Sequence, residues 1–116
     1  MTVFIDDPAD REITQQMCEI RGWCRVPPFG SGRVRFQIGG NPVVFTSMRR
    51  PDVEAAYPQE KTFGFVIHLD LSCYMLAIRD SALDIEVLGG DTDRTTVRFR
   101  VSTSALRKCM AAASGA

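Results

Sequence analysis

Five groups of side chains in this 116-residue sequence have types and spacings that invite a chemical reading. His68 and Asp70 alternate on one strand-like run, and Cys73 follows closely. A Cys-His-Asp arrangement can be drawn from them, with the thiol as nucleophile and the imidazole as its base. However, i and i+2 neighbours on one strand share a face without pointing at each other, and no Gly-x-Ser-x-Gly elbow is present. His68 therefore reads as a surface or half-buried strand residue, and no catalytic residue is assigned. Gly30-Ser31-Gly32 and Gly39-Gly40 have the glycine content of a phosphate loop, but no Gly-Lys-Ser/Thr follows and no helix starts there, so both read as turns. Asp91 and Asp93, after Gly89-Gly90, offer two carboxylates where calcium takes about six to eight oxygens. Cys18 and Cys24 are separated by five intervening residues, with Cys73 and Cys109 distant, so the spacing is not that of a zinc knuckle. Buried free thiols acting as small apolar residues are expected, with no metal and no cofactor.

Ligand recognition is the most substantial of these chemistries. Trp23 stands between Arg21 and Arg25 on one face of an alternating run. An indole stacks on a sugar or a base, and guanidinium groups clamp anions. Arg33, Arg35, Arg49 and Arg50 extend a basic strip if the fold brings them near. The opposing reading has Trp23 covered by the N-terminal segment or the C-terminal helix, and the arginines paired with Asp84, Glu86 and Asp52.

The chain is organised around Arg49 to Pro58, where a strand-like pattern turns helical and then resumes through Phe63-Gly64-Phe65. Pro51 suits the first position of a helix, and Arg50 before it is pushed towards extended geometry. Asp52 and Glu54 sit in the first turn, where the helix dipole favours negative charge. Val53, Ala56 and Tyr57 share a face, and Pro58 ends the helix. Arg50, Pro51, Asp52, Val53, Tyr57, Gly64 and Phe65 are expected to form a structural staple: a helical crossover pinned to a sheet by Val53 and Tyr57, joining two halves of the protein. The order Arg50-Pro51-Asp52-Val53, then Pro58, then Gly64-Phe65 resembles the signature of a small bacterial β-sandwich module often attached to glycosyltransferases and methyltransferases. The resemblance spans roughly residues 18 to 101 and includes a strand pair before the motif, like Val34–Ile38 and Val43–Phe45 here. The turn after the Gly-Phe strand departs from that pattern, with Ser72-Cys73-Tyr74 in place of a Gly-His type. The resemblance implies an accessory role beside carbohydrate-processing enzymes and supplies no catalytic residue.

The remaining pattern is a run of short alternating strands. Met17 to Val26 places Cys18, Ile20, Gly22, Cys24 and Val26 on one face. Val34, Phe36 and Ile38 point inward on the next run, and Gly39-Gly40-Asn41-Pro42 connects it to a partner at Val43–Met48. Phe63, Phe65, Ile67, Leu69 and Leu71 form a stripe, and Tyr74–Ile78 is ambiguous. Leu83, Ile85 and Val87 alternate with Asp84 and Glu86, and Val97, Phe99 and Val101 with Arg98 and Arg100, on either side of a loop at Gly89–Arg94. Ser102-Thr103-Ser104 caps a helix from Ala105 to Ala113 with Leu106, Cys109, Met110 and Ala113 as its stripe. The fold class expected is all-β: an antiparallel immunoglobulin-like sandwich of about seven strands with a short crossover helix and a C-terminal helix. Residues 1–16 form a peripheral segment, 17–103 the sandwich domain and 104–116 the helix and tail.

Fourteen basic and fourteen acidic residues give zero formal net charge, which offers no global attraction to nucleic acid or to an anionic membrane. No apolar run approaches the roughly 20 residues of a membrane-spanning helix, and Asp6, Asp7 and Asp10 do not suit a signal peptide, so a cytoplasmic protein is expected. The leading expectation is a non-catalytic accessory or interaction module, its partner another protein or an attached enzyme domain, with a homodimer also open. The alternatives are a carbohydrate-binding module using Trp23, Arg21 and Arg25, and a small thiol enzyme at Cys73 and His68.

Overall fold

The computed structural model describes residues 1–26, 33–90 and 92–114. The expected turn at Gly30-Ser31-Gly32 and the carboxylate of Asp91 lie outside the described residues. The fold is mostly β, with two sheets and helices. In chain order the strands are β1 (Thr2–Asp7), β2 (Glu12–Ile13), β3 (Met17–Val26), β4 (Val34–Ile38), β5 (Asn41–Val43), β6 (Thr46–Met48), β7 (Lys61–Asp70), β8 (Ala82–Gly89) and β9 (Asp93–Val101). Helix α1 (Pro51–Ala56) lies between β6 and β7, a 3-10 segment (Leu71–Ala77) links β7 to β8, and α2 (Thr103–Ser114) follows β9.

One sheet has the order β1-β3-β7-β6 and the other β2-β9-β8-β4-β5. Period-2 alternation sorts their side chains. Ile20, Cys24, Phe65, Ile67 and Leu69 from the first sheet share one buried cluster with Phe36, Ile38, Leu83, Ile85, Val87, Phe99 and Val101 from the second. The Phe36 and Phe65 rings meet across the sheets with centroids 4.8 Å apart. Burying each such side chain contributes about 1.5–3 kcal/mol, so this interior dominates the favourable terms.

Four expectations change. First, the pairing is not wholly antiparallel: β2 runs parallel to β9, with Glu12 beside Arg100 and Ile13 beside Val101. Second, the described residues form nine strands rather than about seven, because the N-terminal segment supplies two, one to each sheet. It is therefore built into both sheets, and Ile13 is fully buried. Third, Val43–Met48 is not one return strand. After the turn at Gly39 and Gly40, both at positive φ (56° and 83°), β5 pairs with β4. The chain then crosses at Val44 and Phe45, and β6 pairs with β7 in the other sheet. Fourth, α1 is not a crossover between halves. The strands on either side of it, β6 and β7, are antiparallel neighbours, so α1 is an insertion within a hairpin, lying against β7. After β4 the chain changes sheet at Val44–Phe45 and again through the 3-10 segment.

Helix α2 starts at Thr103, two residues before the expected Ala105, and Ser102 is its cap: Ser102 Oγ accepts a hydrogen bond from the Ala105 N–H at 3.1 Å. Its buried face is turned from the expected one. Ala105 and Cys109 are fully buried and Leu106 partly so, while Met110 is 60% exposed.

Candidate functional site

Trp23 and part of the Arg50–Gly64 segment come together on the outer face of the four-stranded sheet. Phe4, Trp23, Gly64 and Met48 are successive cross-strand partners on β1, β3, β7 and β6. Phe4 stacks on Trp23, with centroids 4.0 Å apart and planes 16° from parallel. Tyr57, just past α1, approaches Trp23 at 5.9 Å, and the Arg25 guanidinium covers the Tyr57 ring at 4.4 Å. Val53 and Val66 are buried but lie outside the main cluster. This outer face therefore carries a small apolar layer of its own.

Arg50 ties the layer together. Its Nε and Nη2 donate to both carboxylate oxygens of Asp52 at 3.1 and 3.0 Å, and its Nη1 donates to Asp6 of β1 at 2.8 Å. The hydrogen bonds from Arg50 hold the Asp52 carboxyl below its usual range, and those to Asp52 and Asp6 raise the guanidinium further above its own. The aliphatic stem of Arg50 lies over Gly64, where a Cβ would sit 2.8 Å from Arg50 Cγ. Arg50 thus links Asp6 of β1 to Asp52 of α1 while its stem crosses Gly64 of β7, and Tyr57 approaches Trp23 on the same face. Phe65, next in sequence, points to the opposite face and into the core.

Several other arginines are also engaged. Arg21 pairs with Glu19, and Arg25 with Glu60 at 3.0 Å. Arg49 pairs with Glu54, Arg98 with Asp84 through a forked contact at 2.8 and 3.1 Å, and Arg94 with Glu86 at 3.5 Å. Of the arginines that would extend a basic strip, Arg35 belongs to β4 in the other sheet, opposite Leu88, while Arg50 lies across Gly64, the cross-strand partner of Trp23, but is bound to Asp52 and Asp6.

His68, Asp70 and Cys73 are arranged separately. His68 is 70% exposed, with Nδ1 3.6 Å from Glu19, its partner across the ladder. Asp70 caps the 3-10 segment, accepting from the Ser72 N–H at 3.0 Å, the Ser72 hydroxyl at 2.6 Å and the Gln16 amide at 3.3 Å. These bonds, led by the Ser72 hydroxyl, lower the Asp70 pKa. Cys73 is exposed, whereas Cys24 and Cys109 are buried and Cys18 partly so, and all four are free. Burial pushes the Cys18 thiol up to about 11 and the Cys24 thiol up to about 12. Among the described residues no group of three or more His, Cys, Asp or Glu is placed to hold a metal ion. No helix among them is long and apolar enough to cross a membrane.

A surface that the sequence reading missed lies at the other sheet. An open groove of about 680 Å³ runs between the 3-10 segment and the outer face of β8, lined in part by Tyr74, Met75, Leu76, Arg79, Asp84 and Glu86. Leu76 is 94% exposed. The only signal in the sequence was the ambiguous apolar run Tyr74–Ile78, which has neither a clean strand nor a clean helix period.

Comparison with family models, with curated proteins and with solved structures finds no match to this chain.

Proposed function

We propose that the chain is a non-catalytic β-sandwich module of immunoglobulin-like type that binds another protein or an attached enzyme domain. The strand order supports the fold assignment. Lettered in chain order, β1-β3-β7-β6 reads A-B-E-D, and β2-β9-β8-β4-β5 reads A′-G-F-C-C′. The link to carbohydrate-processing enzymes rests on the resemblance of Arg50-Pro51-Asp52-Val53 and Gly64-Phe65 to the bacterial accessory module, as does its bacterial setting. The cytoplasmic reading rests on the four free cysteines.

The observation that carries the binding role is Leu76. It stands 94% exposed with Tyr74 and Met75 along the open groove, a contiguous apolar rim of the kind that a partner surface covers. The glycan reading at Trp23, Arg21 and Arg25 has less support, because Phe4 covers one face of the indole and Glu19 and Glu60 pair the two arginines. The thiol-enzyme reading has less again, since His68 pairs with Glu19 and Asp70 is committed to capping.

A photo-crosslinking residue placed at position 76 tests the proposal in the native host, with the same residue at position 107 on α2 as control. A discrete adduct from position 76 alone is expected. Equal labelling from both positions, or none from 76, overturns it.

A further inference from the structure

We propose that the groove beside Leu76 takes an extended peptide segment of the partner, which pairs its backbone with Asp84 and lays an apolar and an acidic side chain along the groove. The proposal rests on the interaction-module reading and names what that module holds. The backbone argument comes from the β8 ladder. Towards β9, β8 is paired along its whole length. On its other side the pairing has a gap. β4 covers β8 as far as Gln37 opposite Glu86, then turns away at Gly39, which has positive φ. Further along, Arg79 and Ala82 exchange two backbone hydrogen bonds of 2.9 Å. The Ala82 backbone groups therefore point to the β4 side, and alternation gives Asp84 and Glu86 the same direction. Glu86 meets Gln37 there and Ala82 meets Arg79. Asp84, between them, has no ladder partner on that side among the described residues. Asp84 and Gly39 both line the groove. An unpaired N–H and C=O on one strand residue are matched by one residue of an extended chain, which offers the same two groups in reverse.

The side chains set the chemistry of that segment. The Asp84 carboxylate is held in the fork of Arg98, and Glu86 accepts from Gln37 at 3.2 Å with Arg94 3.5 Å away. Both groove carboxylates are committed. Arg79 is exposed, lines the same groove and has no ion pair among the described residues. The charge left over is positive, and Tyr74, Met75 and Leu76 supply the apolar wall. The complement is a carboxylate for Arg79 and an apolar side chain for the wall. Residues two apart on an extended chain share a face, so one short segment supplies both. A flat folded surface would cover Leu76 and leave Asp84 unpaired.

The test is a nuclear magnetic resonance titration of the isotope-labelled full chain with the blocked peptide acetyl-Gly-Leu-Gly-Glu-Gly-amide. The expected result is saturable binding at millimolar peptide, with a downfield shift and slowed exchange of the Asp84 amide. N-methylation of the peptide's leucine removes the donor to the Asp84 carbonyl and should raise the dissociation constant about tenfold, the worth of one hydrogen bond. Arg79→Gln, at an exposed position, should raise it about threefold. No saturation, shifts that spare the Asp84 amide, equal binding of the N-methylated peptide, or Arg79→Gln binding as wild type overturns the proposal. A crosslink from position 76 alongside any of those results leaves the interaction module standing with a folded partner. The peptide bound as expected without that crosslink removes the module reading and keeps the peptide site.

Discussion

Gly64 and Arg50 fit together as groove and rod. A Cβ on Gly64 would meet Arg50 Cγ at 2.8 Å and Met48 Cγ at 2.9 Å, so the bare backbone of β7 is what lets the arginine stem lie flat across the sheet. That placement brings the guanidinium within reach of Asp52 and Asp6 together. It gives a physical reason for an Arg-Pro-Asp-Val segment and a later Gly-Phe to occur in one chain.

Gly64→Ala is expected to lower stability by about 1 kcal/mol, because the atoms it meets belong to side chains that can swing aside. Gly22→Ala is expected to cost about 3 kcal/mol, at the upper end for overpacking. Its Cβ would lie 2.1 Å from the Phe4 carbonyl oxygen, which is backbone, and 2.8 Å from Phe65 Cζ. Urea melts of the two variants check the order, and equal losses would contradict this geometry.

Arg50→Lys keeps the charge but loses the fork that bridges Asp52 and Asp6. A double-mutant cycle between Arg50→Lys and Asp6→Asn is expected to return a coupling of roughly 0.5 kcal/mol, small because both groups are solvent-screened. The coupling should shrink further in high salt. A cycle that closes to zero in low salt would show that the Arg50–Asp6 contact adds nothing to the β1–β3 ladder and the Phe4 stack.

Phe4→Ala uncovers one face of Trp23. The expected result is a red-shifted tryptophan emission and a loss of about 1–2 kcal/mol from the stacked pair and its buried area. In the wild-type chain, glycan titration is expected to leave the emission unchanged. A saturable change in wild type would restore the carbohydrate reading at Trp23, Arg21 and Arg25.

Stability is expected to fall at both ends of the pH scale. Asp52, Asp70 and Asp84 have lowered pKa values in the fold, so their contribution is present above the unfolded aspartate value near 4 and is lost as pH falls through their folded values. Cys18 and Cys24 have raised values, so their contribution is intact below the unfolded thiol value near 8.5. It is lost as pH rises towards about 11 and 12. Melts from pH 2 to 11 check both limbs, and Asp70→Asn should flatten part of the acid limb.

With iodoacetamide at neutral pH, Cys73 is expected to be alkylated first, since it alone among the cysteines is exposed. Its rate should match that of a free model thiol and should not change in His68→Ala. A rate far above the model thiol, abolished by that substitution, would revive the Cys73 and His68 enzyme.

The alternating runs of β3, β4, β8 and β9 were legible because each has one face on the core and one on water. The Ser102 cap and the Gly39-Gly40 turn were legible because short-range chemistry decides both. The division of Val43–Met48 was not. Alternation says which face a residue points to, but not which sheet owns the strand, and the switch happens within Val44 and Phe45. The two-residue β2 has too few positions to show any period. The α1 insertion was read as a crossover because a helix between two strands looks the same in sequence whether the strands are neighbours or not. At the candidate site, the Arg50–Asp52 fork was legible from i, i+2 proximity. Asp6, 44 residues away from Arg50 in sequence, was not.

The parallel contact between β2 and β9 has a mechanical consequence. β2 lies near the start of the chain, and β9 leads into α2 near its end. A pull on the two ends draws these strands past each other along their own length. The bonds from the Arg100 N–H to the Arg11 carbonyl and from the Ser102 N–H to the Ile13 carbonyl, at 2.8 and 2.9 Å, are then loaded together rather than opened one after another. The short strand that alternation could not reveal thus works as a shear clamp against tension along the chain, and a force-extension trace should lose its highest peak when Ile13 is replaced by proline.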